Sequence, residues 1–146
     1  MAPNASLNLA PEFGWVLGAA AFTGVVYMWQ SIQVGAARRK YGVKYPKMYA
    51  DGESKEAQNF NCIQRSHQNT SEQIGPVLVT QALLGLYHPI TAASLGAIWA
   101  IGRIVYAVGY SSGDPAKRTP GSAVSFLSYF GLLGAIAVVG FRSVTG

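Results

Sequence analysis

The 146-residue chain gathers its charges into clusters and leaves long stretches with none. From Phe13 to Ala37 there are 25 residues without a Lys, Arg, Asp or Glu. As a helix this run would be roughly 37 Å long at about 1.5 Å per residue, enough to cross a hydrocarbon core of about 30 Å. Two more such runs follow, Gln73 to Gly102 and Thr119 to Phe141. The first of these is interrupted at Tyr87-His88-Pro89. Proline cannot extend the preceding hydrogen-bond ladder, so Pro89 starts a new helix after a tight turn. None of the runs alternates apolar and polar residues, which excludes strands closed into a membrane barrel. The expectation is an all-α fold: an integral membrane four-helix bundle forming a single domain over residues 1-146. Its helices are expected at about 13 to 37, 57 to 87, 89 to 111 and 121 to 142.

Composition agrees with this reading. Charged residues make up 12% of the chain, against roughly 25% in an ordinary soluble domain, and hydrophobic residues reach 50%. Disorder needs the opposite balance. One cysteine, Cys62, excludes an intrachain disulfide and a cysteine-based zinc site. Met1 to Glu12 has no Lys or Arg and the apolar run after it is too long for a secretory signal, so the first helix is expected to be retained.

Topology follows from the basic residues. Four spans put the first and third connections on one face. They hold Arg38, Arg39, Lys40, Lys44, Lys47 and Lys55 in the first and Lys117 and Arg118 in the third, while the opposite face has Arg142. The positive-inside bias places both connections in the cytosol and both termini on the lumenal or external side. Lys40, Lys44, Lys47 and Lys55 are read as holding anionic headgroups, and no nucleic-acid partner is expected.

One helix does not fit a plain anchor. Asn61-Cys62-Ile63-Gln64-Arg65-Ser66-His67-Gln68-Asn69-Thr70-Ser71-Glu72 is the polar half of the second helix. At about 100° per residue, Arg65, Asn69 and Glu72 share one stripe and His67 points the other way. An acid or arginine facing lipid near mid-bilayer costs roughly 2.5 to 3.5 kcal/mol, so both faces need protein or a wet cavity beside them. An antiparallel hairpin about residue 88 pairs positions that sum to about 176. Glu72 then lies level with Arg103 or Ile104, Asn69 with Tyr106 or Ala107, and Arg65 with Tyr110 or Ser111. Arg103, Tyr106 and Tyr110 share a face through their spacing of three and four. A pocket drawn from these residues has an arginine for a carboxylate, an amide, an acid for an ammonium group and two phenols.

Simpler readings exist for single residues. Glu72 and Arg103 can neutralise each other, Tyr106 and Tyr110 can belong to an interfacial aromatic belt, and Gly14 with Gly18 can mark close helix packing. Cys62 reads as a packing thiol, His88 as a turn residue, and His67 as either an interior histidine or a ligand contact. Convergence of five polar side chains at matched depths argues for a pocket.

Taken together, Phe60 to Glu72, Tyr87-His88-Pro89, Gly102-Arg103-Ile104-Val105-Tyr106-Ala107-Val108-Gly109-Tyr110 and Asp114-Pro115-Ala116-Lys117-Arg118 resemble the microsomal glutathione S-transferases of type three. Those belong to the membrane-associated proteins in eicosanoid and glutathione metabolism. The likeness covers roughly residues 12 to 140. It implies a homotrimer of four-helix protomers with glutathione bound between subunits as co-substrate, no metal, and a lipophilic second substrate arriving from membrane lipid. By analogy with leukotriene C4 synthases, Arg65, Asn69, Glu72, Tyr106 and Tyr110 would hold glutathione from one subunit, with Arg38 and His67 reaching in from the next. Gln73 and Arg103 are further candidates. His67 stands where the synthases have glutamine, and Gln73 where they have tyrosine. Arg118, with Lys117 second, would activate the thiol.

The implied activity is glutathione transfer and glutathione-dependent peroxidase chemistry on lipophilic electrophiles and lipid hydroperoxides, in the endoplasmic reticulum or the outer mitochondrial membrane. A non-enzymatic lipid-binding scaffold of the same superfamily would keep the bundle and lose the glutathione-binding side chains. A small transporter would put Glu72 and Arg103 on a translocation path.

Overall fold

The computed structural model describes residues 9–146, so the expectation about the leader falls largely on residues outside the described ones. Four long helices follow one another: α1 (Phe13–Tyr41), α2 (Lys55–Gly85), α3 (Pro89–Tyr110) and α4 (Thr119–Thr145). A single 3-10 turn, Pro115–Arg118, leads into α4. No strand occurs among the described residues.

Local chemistry sets the ends. α1 runs past the first charge at Arg38, because Arg38, Arg39 and Lys40 in its last turn complement the partial negative charge of a helix C-terminus. Gly42 then adopts φ 67°, and its N–H and that of Val43 both return to the Arg38 carbonyl. Ser54 caps α2, its hydroxyl accepting from the Ala57 N–H at 3.1 Å. Pro89 occupies the first turn of α3, where a missing N–H is no loss. α2 also contains Pro76, which it tolerates within the bundle at the loss of one backbone bond to the Glu72 carbonyl.

α3 is the hub, packed against α1, α2 and α4. The apolar core includes Val16 and Val26 of α1, Val77 and Leu84 of α2, Trp99 and Ala100 of α3, and Leu132 of α4. The bundle exterior is apolar as well, with Val25, Val108, Leu127 and Phe130 all exposed. α1, α3 and the segment Pro115–Thr145 are each long and apolar enough to cross a membrane. α2 is 31 residues long, and its polar half alone keeps it out of that group.

Glycines set how closely α3 and α4 approach. A Cβ on Gly121 would lie 2.1 Å from the Tyr106 backbone nitrogen, and one on Gly102 would lie 2.5 Å from Ser125 Oγ. Gly14 and Gly18 have nothing within 4 Å of such an atom, so the small-residue pair in α1 makes no helix contact within this chain. Gly121→Ala is therefore expected to destabilise the bundle by at least the roughly 1–3 kcal/mol typical of overpacking. Gly134→Ala, with open space around it inside α4, should not lower the thermal stability in detergent and should raise it if anything changes.

Candidate functional site

Arg65, Asn69 and Gln73 repeat every four residues along α2 and form one stripe. Facing them are Arg103 and Tyr106 of α3, Arg118 at the end of the 3-10 turn, and Ser122 and Phe126 of α4. Together they enclose a cavity of about 290 Å³. Asn69 Nδ2 donates to the Tyr106 hydroxyl at 2.5 Å, one of the two partners that the hairpin sum allows at this depth. Tyr106 and Tyr110 meet edge to face with centroids 5.6 Å apart. A second cavity of about 400 Å³ adjoins on the loop side, lined by Tyr49, Asn61, Cys62 and Tyr110, with Arg65 common to both. Cys62 is buried against Tyr106 and Tyr110.

Arg118 owes its position to a glycine. A Cβ on Gly109 would sit 2.1 Å from the Lys117 carbonyl, so the 3-10 turn lies directly on the backbone of α3. Lys117 is exposed and does not line the cavity. Arg118 Nη1 donates to the Tyr110 hydroxyl at 3.0 Å, with its guanidinium carbon 4.9 Å from the ring centroid.

Arg103 departs from expectation. It is 1% exposed and does not pair with Glu72. Its Nε and Nη2 donate to Thr70 Oγ1 at 3.0 and 2.8 Å, Nη2 also reaches the Ser66 carbonyl at 3.5 Å, and its guanidinium carbon lies 4.0 Å from the Tyr106 ring centroid. The hairpin sum gives depth but not direction. On the α2 wheel Ser66 and Thr70 lie about 120° or more from Glu72, so the residue level with Arg103 faces elsewhere. Glu72 instead meets Arg65, Nη1 to Oε1 at 3.6 Å, with both side chains partly exposed, and Glu72 does not itself line the cavity.

The two residues expected to serve a neighbour lie away from the cavity. Arg38 Nη1 donates to the Lys47 carbonyl at 2.7 Å and Nη2 to Gln64 Oε1 at 3.2 Å, with its guanidinium over Tyr45. It thereby pins the α1–α2 loop, which Asn61 also holds by pairing with both backbone groups of Ala50 and Tyr49 by bonding Gln68. His67 is on the far side of α2, its ring 4.8 Å from that of Tyr27 on α1.

Sequence reasoning missed Tyr49, Thr70, Ser122 and Phe126. Ser122 and Phe126 follow Arg118 at four and eight residues, so extending the helical periodicity of α4 back to Arg118 would have found them. Tyr49 lies in an irregular loop and Thr70 is one of many polar residues on α2, and neither carries a periodic signal. Among the described residues, no group of His, Cys, Asp and Glu is arranged to hold a metal ion.

Chemically, the cavity presents three guanidiniums, two amides and a phenol, with the Glu72 carboxylate beside Arg65. That set suits a small ligand with more than one anionic group. Phe126 stacks near Phe130 with centroids 6.2 Å apart, and both are exposed on the outer face of α4, so the same cavity has an apolar flank. Thr70→Val would leave Arg103 Nε without its acceptor and Nη2 with only the long contact to the Ser66 carbonyl, and should cost about 1–3 kcal/mol. Glu72→Gln, which alters only the partly exposed pair with Arg65, should leave thermal unfolding nearly unchanged. If Glu72→Gln proved the more damaging, the assignment of Arg103 to Thr70 would be wrong.

Comparison with known proteins identifies the family. The chain is 36% identical over 118 residues to an uncharacterized protein of Synechocystis, covering 80% of this chain and 81% of the relative. It is 29% identical over 143 residues to a Dictyostelium discoideum protein named "Probable microsomal glutathione S-transferase", covering 92% and 91%. It is 32% identical over 111 residues to human microsomal glutathione S-transferase 2, covering 74% and 71%. Residues 16–138 match the MAPEG family, and with its four-helix membrane bundle the chain belongs to that family.

Proposed function

We propose that this protein is a membrane-bound glutathione transferase and glutathione-dependent peroxidase acting on lipophilic electrophiles and lipid hydroperoxides. The observation that carries this reading is the convergence of Arg65, Asn69, Tyr106 and Arg118 on one cavity with an apolar flank. Glutathione carries two carboxylates and an ammonium group. Arg65 is placed to take a carboxylate, Asn69 and Gln73 to bond the peptide, and Glu72, beside Arg65, to take the ammonium. Tyr106 and Tyr110 close the pocket, and Arg103 adds fixed positive charge from below.

Transfer requires the thiolate. Lowering a thiol pKa from about 8.5 by two units takes roughly 2.7 kcal/mol of preferential stabilisation. A unit charge at about 4 Å in an effective dielectric near 20 supplies about 4 kcal/mol. Arg118 can provide this as a fixed cation and hydrogen-bond donor. The thiolate then attacks an electrophilic carbon. With a hydroperoxide it attacks the outer oxygen, releasing an alcohol and a sulfenic acid, which a second glutathione converts to the disulfide and water.

The working unit is a homotrimer with the ligand between copies. Gln68 is half-buried and Ser71 and Glu72 are exposed on α2 at mid-helix, where contact with lipid would be costly. A neighbouring copy would cover this stripe and bring its Arg38 and His67 to the rim. Arg38 keeps a second N–H on each terminal nitrogen for a ligand. The basic loop end lies in the cytosol, with the termini lumenal, in the endoplasmic reticulum or the outer mitochondrial membrane. The lipophilic substrate enters past Phe126.

Arg118→Ala should reduce turnover at neutral pH by roughly 100-fold with both substrate types, in line with loss of a preorganised charge. Turnover should recover as pH rises toward the free-thiol value, because the variant no longer lowers that pKa. Undiminished turnover at neutral pH would reject Arg118 as the activator. Arg65→Ala should weaken glutathione binding measured by calorimetry, and an unchanged affinity would reject the pocket.

A further inference from the structure

Three interior polar atoms lack a hydrogen-bond partner and belong to side chains that meet in one place: Gln30 Oε1 on α1, and Ser66 Oγ and His67 Nδ1 on α2. Gln30 and Ser66 are each 2% exposed. All three residues line a cavity of about 10 Å³ against Trp29, Ile63 and Ala107, on the opposite side of α2 from the three-arginine cavity. A site needs about 10–15 Å³ of probe volume and two to four polar partners to hold one water. This one meets both conditions for a single molecule and has no room for two.

The surroundings select the ligand. Gln30 already uses its amide N–H on the Arg103 carbonyl at 3.3 Å, so its oxygen needs a donor. Arg103 Nη2 lies 3.5 Å from the Ser66 carbonyl, and this buried positive charge disfavours a metal ion or ammonium beside it. An anion would face the acceptor oxygen of Gln30. We propose that one ordered water is held here, donating to Gln30 Oε1 and His67 Nδ1 and accepting from the Ser66 hydroxyl.

This water sets the chemistry of His67. A donor on Nδ1 fixes the neutral imidazole with its proton on Nε2. The Tyr27 ring, 4.8 Å away, holds the ring plane. His67 therefore presents an Nε2–H donor from a half-buried position. Its use against glutathione bound to a neighbouring copy rests on the proposed function, whereas the water site does not. Gln30 and Ser66 are positioning residues for that donor.

The chain has two histidines, His67 and His88. Full-length protein labelled with 15N-histidine in nanodiscs thus gives two imidazole signals, and His88→Gln assigns them. At pH 8 the expected result is His67 as the Nε2–H tautomer, with a water cross-peak to its ring. Ser66→Val, whose methyls fill the site, should remove the cross-peak and give mixed tautomers. An Nδ1–H tautomer in the wild type, or a Ser66→Val spectrum identical to it, would overturn the water site. If Ser66→Val does not fold, the wild-type tautomer and its water cross-peak decide the question. Glutathione KM should rise several-fold in the Ser66 variant with kcat retained. A changed tautomer with unchanged KM would leave the water in place and remove the contact across the subunit boundary.

Discussion

A guanidinium deep inside a membrane bundle must find oxygen acceptors or a π face, because neither lipid nor apolar core offers any. Arg103 meets that requirement in a way that ties three helices together. Its side chain takes Thr70 and the Ser66 carbonyl on α2, its backbone carbonyl takes Gln30 on α1, and its charge lies over the Tyr106 ring of α3 itself. Removing either side of this arrangement leaves a buried charge or buried donors uncompensated, which costs more than most single contacts contribute. The relative placement of α1, α2 and α3 at the level of the cavity depends on it.

The fourth helix is placed by shape. Gly102 and Gly121 let α3 and α4 approach until side chains would collide, and Gly109 lets the 3-10 turn rest on α3. The result is a short, rigid route from the end of α3 to Arg118, which turns back onto Tyr110. A charged residue on a connection would ordinarily move freely. Here it is fixed against Tyr110, whose ring meets that of the cavity-lining Tyr106, which is the preorganisation an electrostatic activator needs. Polar residues from α2 and α3 form the floor and an exposed aromatic strip on α4 forms one wall, which suits the proposed pairing of a water-soluble peptide with a lipid-soluble partner.

Much of this was legible in the sequence, for physical reasons. Charge-free runs longer than a bilayer is thick allow few folds, and the stripe of Arg65, Asn69 and Glu72 could be read from helical periodicity alone. The match of Asn69 with Tyr106 was one of two that hairpin arithmetic allowed. That arithmetic failed for Glu72 and Arg103 because it fixes depth along a helix and leaves the direction around it open. Reading a helix end from the first charge failed at Arg38, since basic residues stabilise a final turn. The choice between Arg118 and Lys117 as the residue at the cavity depended on where the 3-10 turn meets Gly109, and no spacing rule encodes that contact. Gly14 and Gly18 looked like packing glycines from their spacing, yet the close approaches fall at Gly102, Gly109 and Gly121, where the pairing of helices, rather than the pattern within one helix, decides.

The central claim is that a thiol-bearing tripeptide lies among Arg65, Asn69, Glu72 and Arg118 where one copy of the chain meets another. A cryo-electron microscopy reconstruction of the protein with glutathione in nanodiscs tests this most directly. The account predicts three copies, ligand density between them, and the sulfur within hydrogen-bonding distance of the Arg118 guanidinium. Ligand density away from these side chains, or a sulfur held by Lys117 with Arg118 turned outward, would contradict it.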